Sequence, residues 1–263
     1  MSREIRILLD AGHYGKRNRS PCVREYYESE AMWKLHLALK AALEEGYNGV
    51  TVDITREDQS IDLSVNARGR KAKGYDLAIS EHSNAVGTNE CGDTDRVDVF
   101  YAWDDYNGAS LLGNVLMKAT AACMGVAEGR AKPRKSESGD WDYYGFMRSA
   151  RAVGCPLYYI VENSFHTNER AARWLLEDEN IKLLAQAQCD AIAEYFKLKP
   201  IAQLGDVNTD GRVDQYDYIL IKRTVMGTYK PTADELRRCD INGDGKIDMY
   251  DYIAVKRLIA GTL

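Results

Sequence analysis

Short apolar runs alternate with longer amphipathic stretches through the first 198 positions of the chain. The runs at Ile5–Leu9, Val50–Thr55, Asp76–Ser80, Val97–Ala102 and Leu157–Val161 are rich in β-branched or aromatic residues and predict strands. Between them, apolar residues three and four apart predict helices over 28–45, 64–73, 108–124 and 168–197, the last broken near Asn180. In "EAMWKLHLALKAALEEG", Met32, Leu35, Leu39, Ala42 and Leu43 share one stripe, and Gly46 stands where a helix ends. Strands alternating with helices predict an α/β domain over 1–198, a mostly parallel sheet flanked by helices.

The pattern changes after Pro200. A linker over 199–205 leads to a segment, 206–228, that recurs at 240–262 with 13 of 23 positions identical. Such a duplication marks a second, small all-α domain over 206–263, built from two loop–helix repeats. Each repeat opens with Asp-x-Asn-x-Asp-Gly. Oxygen-bearing side chains at alternate positions converge on one point when a loop coils around a cation, and the glycine permits the sharp turn. The candidate ligands are Asp206, Asn208, Asp210, the carbonyl of Arg212, Asp214 and Asp217 in the first loop. In the second they are Asp240, Asn242, Asp244, the carbonyl of Lys246, Asp248 and Asp251. All-oxygen sets suit Ca²⁺, one per loop. The last ligand is Asp rather than Glu, and no clear helix precedes either loop, unlike an ordinary EF-hand.

This region resembles a type I dockerin. The resemblance implies docking onto a cohesin module of a scaffolding protein through Gln215, Tyr216, Lys222 and Arg223, and through their counterparts Met249, Tyr250, Lys256 and Arg257. Gln-Tyr and Met-Tyr stand where the family often carries small hydroxyl residues.

Composition narrows the remaining choices. A net charge of −5 gives no reason to expect nucleic acid as a partner. No run approaches the ~20 apolar residues that span a bilayer. The first residues, "MSREIRILLD", lack the order of a secretion signal. Six cysteines are scattered singly and predict mostly free thiols.

Three polar side chains follow predicted strands: His13 in "LLDAGHYG", His82 in "ISEHSNA" and Glu162 in "IVENSFHTN". In a parallel sheet all three face one rim, where α/β folds bind ligands. Glu28 lies one helical turn before Met32, on the core side, where a carboxylate is costly unless paired or metal-bound. Glu30 competes for that role if the helix register differs by two. His, Glu and His around Zn²⁺ leave a position open for water, the pattern of a catalytic site. Glu162 is then the candidate proton carrier. His36 fits packing or solvent exposure better than catalysis, and His166, four residues past Glu162 and close enough to line the cleft, either has or lacks a substrate or transition-state role.

These motifs, with "YYESEAMWKL", resemble the zinc-dependent N-acetylmuramoyl-L-alanine amidases of the Amidase_3 group over about residues 4–197. The resemblance implies zinc on His13, Glu28 and His82 and a catalytic Glu162. It implies cleavage of the amide joining N-acetylmuramic acid to L-alanine in peptidoglycan. "GHYG" replaces the usual "GHGG", which places Tyr14 at the cleft. Glu81 replaces an apolar residue beside the second His and is a candidate to alter the metal's charge environment. Another zinc peptidase and a non-catalytic cell-wall-binding module are the competing readings. The location implied is extracellular or cell-wall-associated, as a host autolysin or a phage-type lysin. Loops at 86–96 and 130–146 either contact glycan and peptide or are simply solvated.

Overall fold

The computed structural model describes residues 3–87, 90–201 and 203–262. One compact unit ends at Leu198; a second begins at Lys199 and takes in Gly46–Asn48.

The first unit is built on a six-stranded sheet. In chain order its strands and helices are β1 (Ile5–Ala11), α1 (Glu28–Gly46), β3 (Val50–Ile54), α2 (Val65–Arg70), β4 (Leu77–Asn84), β5 (Arg96–Tyr101), α3 (Ala109–Cys123), β6 (Glu128–Pro133), α4 (Gly145–Ala152), β7 (Leu157–Phe165), α5 (Glu169–Leu176) and α6 (Asp178–Phe196). A two-residue strand β2 (Tyr47–Asn48) pairs with β8 (Lys199–Pro200) in the second unit, inside the span expected as a linker. The sheet order is β3-β1-β4-β7-β5-β6. β3, β1, β4 and β7 run parallel, so the carboxyl ends of β1, β4 and β7 share one rim. β5 runs antiparallel to β7, and β6 follows β5 in parallel, which makes the sheet mixed at this end.

The central strands are apolar because both faces are covered. All nine residues of β7 are buried, and so are the last five of β1. Met32, Leu35, Leu39 and Leu43 of α1 are completely buried, as their spacing predicts. His36 is also buried and bonds through Nδ1 to Trp33 O, a packing role. Asn163 of β7 reaches Gln188 of α6, which in turn reaches Thr120 of α3, tying two helices to the sheet through polar contacts.

Several expectations need correction. β6 occupies part of the span taken for a polar loop. "EGRAKP" lacks β-branched residues because an edge strand, half open to water, does not need them. α4 was not foreseen, since it begins at a glycine and has no side-chain N-cap. The helix break expected near Asn180 is present, at Glu177, and the Asn180 side chain donates to Trp174 O. Cys22 and Cys91 are disulfide-bonded, not free: two loops distant in sequence bring their Cα atoms to 5.3 Å. The remaining four cysteines are free thiols. The loop at 86–96 lies partly outside the described residues.

The second unit carries α7 (Gln215–Val225), α8 (Ala233–Cys239) and α9 (Met249–Ile259). α8 is a helix directly preceding the second acidic loop, contrary to expectation; a capping box of Thr232 and Glu235 starts it. α7 and α9 pack around Val207, Ile221, Cys239 and Val255. The hydroxyls of Tyr218 and Tyr252, equivalent in the two repeats, meet in a hydrogen bond. Among the described residues no helix is long and apolar enough to cross a membrane.

The disulfide spans 69 positions, so it removes considerable freedom from the unfolded chain. Replacing both Cys22 and Cys91 by Ser is expected to lower unfolding stability by about 3 kcal/mol in urea titration. Dithiothreitol should then have no further effect on that variant.

Candidate metal centre and cleft

β1 ends in a turn that places His13 over the rim. His13 has φ of 62°, a left-handed conformation that ordinary residues adopt at a cost. Two buried arginines hold it there. Arg68 donates to the carbonyls of Ala11 and His13, each at 2.8 Å, and Arg56 donates to the same two carbonyls. Asp10 lies 3.5 Å from Arg68. Burial, and then the neighbouring Arg68, lower the Arg56 guanidinium to about 10. Gly12 is required by close approach, since a Cβ there would run into the His82 ring.

Three side chains converge. Glu28, only 2% exposed, opens α1; its Oε1 lies 2.9 Å from His82 Nδ1 and its Oε2 lies 3.4 Å from His13 Nε2. Among the described residues this is the one group of three imidazole or carboxylate ligand atoms all within 4.8 Å of each other. Asn18 Nδ2 donates to Glu28 Oε2 at 2.7 Å and stands 2.9 Å from His13 Nε2. Glu30 turns away toward Lys16, at 3.6 Å, so Glu28 and not Glu30 joins the two histidines.

The protonation pattern suits a cation. Ser80 Oγ donates to Asp10 Oδ2 at 2.7 Å, so its lone pairs face His82 Nε2 at 3.0 Å and favour a proton there. His82 Nδ1 and Glu28 Oε1 are then both acceptors, 2.9 Å apart, and need a shared cation or a proton between them. Burial opposes ionisation of Glu28, yet His13 and His82 outweigh it and hold the carboxyl well below its usual range. Burial likewise depresses His13, and Glu28 outweighs that to raise it. Two imidazoles, one carboxylate and an open side are the donor set of a catalytic zinc site.

Glu162 stands in register beside His82 across β4 and β7. Burial, then the negative charges of Glu28, Asp98 and Glu81, push its carboxyl well above the usual range, while Arg134 works against them. Its Oε2 has no hydrogen-bond partner. Both His13 and His82 join Glu162, Tyr14, Tyr144 and Phe146 in lining a cavity of about 440 Å³. Tyr14 does border the cleft, its hydroxyl accepting from Arg17 at 2.8 Å. His166 is 6% exposed and does not line the cavity; it bonds Ser83 O at 2.8 Å behind Glu28. Asp10, Asn18, Arg56, Arg68 and Ser80 were missed by sequence reasoning. Only Asp10 gave a signal, as the charge that stops the apolar run.

Glu81 does not face the cleft. Alternation along β4 turns it inward, where it is completely buried and accepts from Asn163 Nδ2 at 2.7 Å.

In the second unit both acidic loops have the same backbone arrangement. Asp206 accepts from the amides of Asp210 and Gly211, and Asp240 from those of Asp244 and Gly245. Asn208 accepts from Asp210 N and Asn242 from Asp244 N, both at 2.9 Å; Asp210 and Asp244 accept from the amides of Arg212 and Lys246. Asp214 and Asp248 cap α7 and α9, with Asp217 and Asp251 completing the boxes. Asp217 and Asp251 also accept from the amides of Val207 and Ile241, each at 2.8 Å. Gln215, Tyr216, Lys222, Arg223, Met249, Tyr250, Lys256 and Arg257 are all exposed, at equivalent places on α7 and α9.

Burial raises the Glu81 carboxyl to about 7, so the folded state holds its proton while the unfolded chain gives it up. Stability attributable to this group is therefore complete below about pH 4.5 and is lost as pH rises through 7. Glu81→Gln, which keeps the acceptor for Asn163, should match the parent at pH 4. At pH 8 it should be more stable by up to about 3 kcal/mol in denaturant titration.

Comparison with known proteins bears on the family and the fold. Residues 204–260 match the model for the dockerin type I domain. No curated protein matches. Among solved structures, an N-acetylmuramoyl-L-alanine amidase from Clostridium difficile 630 is 18% identical, with a TM-score of 0.63, covering 74% of this chain and 98% of its own. The catalytic domain of CwlV, an amidase from Bacillus (Paenibacillus) polymyxa var. colistinus, is 20% identical, with a TM-score of 0.61 over 74% and 99%. AmiC2 of Nostoc punctiforme is 20% identical, with a TM-score of 0.60 over 75% and 99%. At such identities the likeness shows the fold. Residues 7–194 match the family model described as N-acetylmuramoyl-L-alanine amidase, and the chain belongs to that family.

Proposed function

We propose that residues 1–198 form a zinc amidase that cleaves the bond between N-acetylmuramic acid and L-alanine in peptidoglycan. The observation that carries this reading is the meeting of His13, Glu28 and His82 beside a buried Glu162 with an unpartnered oxygen. Zinc bound there supplies Lewis-acid polarisation of the amide and activation of a water. The protein's own groups do the rest. His82 is held in one tautomer by Ser80 and Asp10, and His13 is fixed by the two arginines. Glu162, kept protonated by burial and then by the charge of Glu28, would ionise once a bound cation offset that charge. Its Oε2 then takes a proton and delivers it to the leaving nitrogen.

The segment 206–263 is a dockerin that attaches the enzyme to a cohesin-bearing scaffold, with one Ca²⁺ in each acidic loop. Residues 199–205 connect the two parts. The repeated ligand pattern, Asp206, Asn208, Asp210, Asp214 and Asp217 against Asp240, Asn242, Asp244, Asp248 and Asp251, supports this. So does the equivalent placement of the exposed contact residues on α7 and α9. A cell-wall substrate and a scaffold partner place the protein at the cell wall or outside the cell, where a disulfide such as Cys22–Cys91 persists.

A second reading, a zinc peptidase acting on a chain terminus, draws on the cations Arg96, Lys132 and Arg134 near the cleft. Product analysis separates the two: an amidase releases whole stem peptides with new N-terminal alanine. Glu162→Gln is expected to cut that release from purified cell walls by a hundredfold or more while zinc content stays at the parental level. Residues 1–199 alone should clear cell walls at the rate of the full chain, with or without calcium. A large loss would contradict independence of the two parts.

A further inference from the structure

Beyond Glu162 the sheet continues onto β5 and β6 with charged residues on the same face. The register runs His82, Glu162, Asp98 and Arg130 across β4, β7, β5 and β6, with Ser80, Ile160, Phe100 and Lys132 as the next row on the same face. A groove of about 560 Å³ lies along this end of the sheet, and Arg96, Lys132 and Arg134 line it. Asp98 is its only lining carboxylate among the described residues. The Asp98 side chain is 2% exposed and takes Arg96 Nε at 3.1 Å and Lys132 Nζ at 3.8 Å. Arg96 and Lys132 thus share one buried anion, Arg134 lines the same groove, and Lys132 keeps 40% of its side chain exposed. Arg134 lies on Tyr143, 3.7 Å from the ring centroid, and donates to Tyr144 OH at 2.8 Å. Tyr144 borders the catalytic cavity, so the groove adjoins it.

From this arrangement we infer that the groove binds the acidic stem peptide, with Lys132 and its neighbours receiving the α-carboxylate of the residue that follows L-alanine. The inference rests on the amidase reading and assigns a direction to the substrate. The glycan is uncharged at this point, whereas the peptide carries carboxylates, so charge complementarity sends the peptide toward β5 and β6. The reach agrees. Adjacent strands lie about 4.8 Å apart, which puts Lys132, two strands from Glu162, on the order of 10 Å away at its backbone. Two extended residues span roughly 7 Å, and a lysine side chain covers the remainder.

The test uses the full chain with its metal and two synthetic substrates, N-acetylmuramoyl-L-alanyl-D-glutamate peptides with the α-carboxylate free or amidated. The free acid should be cleaved about five- to tenfold more efficiently, through a lower KM, and 0.5 M NaCl should shrink the difference. Lys132→Gln should reduce the preference and Lys132→Glu should abolish or reverse it, with melting temperatures confirming that both variants fold. Equal kcat/KM for the two substrates, or a preference that survives Lys132→Glu, would overturn the groove assignment alone. Cleavage of neither substrate by the parent enzyme would overturn the amidase reading as well.

Discussion

A carboxylate buried at the first turn of a helix is the constraint around which the catalytic unit is arranged. Glu28 is shut away from water, and an isolated charge there would be severely destabilising. It is tolerated because His13, His82, Asn18 and the amide of Ser83 all turn toward it. The same convergence that satisfies the carboxylate creates the donor set for a divalent cation. The candidate metal site and the folding requirement are thus one feature. Its cost reappears at Glu162, where Glu28 is among the negative charges that burial amplifies.

Around this centre, positioning is delegated to buried polar groups outside the donor set. Arg56 and Arg68 hold the turn that carries His13 in a backbone conformation it would not keep alone. Asp10, through Ser80, selects the His82 tautomer that turns its free lone pair toward Glu28. Replacing such groups would leave all three donors in place and still loosen the site, because small displacements of a donor matter more than its chemical identity.

Much of this was legible in the chain. Short apolar runs rich in β-branched or aromatic residues located β1, β4 and β7, a 3.6-residue period located α1, and those elements deliver the histidines and both glutamates. The dockerin region was legible because a duplicated ligand spacing is hard to produce otherwise. What escaped detection has physical reasons. β6 is an edge strand whose polar residues suit water as well as a sheet. The Cys22–Cys91 pair depends on two loops meeting, which no local pattern encodes. Arg56 and Arg68 look like ordinary surface residues until the fold buries them against backbone carbonyls. Glu81 was expected to act on the metal's surroundings, but strand alternation turns it to the opposite face.

One ion shared by three side chains is the centre of the proposed catalytic site. Crystals of the full chain grown with zinc, measured on both sides of the zinc absorption edge, test this most directly. A single strong anomalous peak is expected in the first unit, about 2 Å from nitrogen atoms of His13 and His82 and a carboxylate oxygen of Glu28. An empty site under those conditions, or a peak bound by other residues, would contradict it.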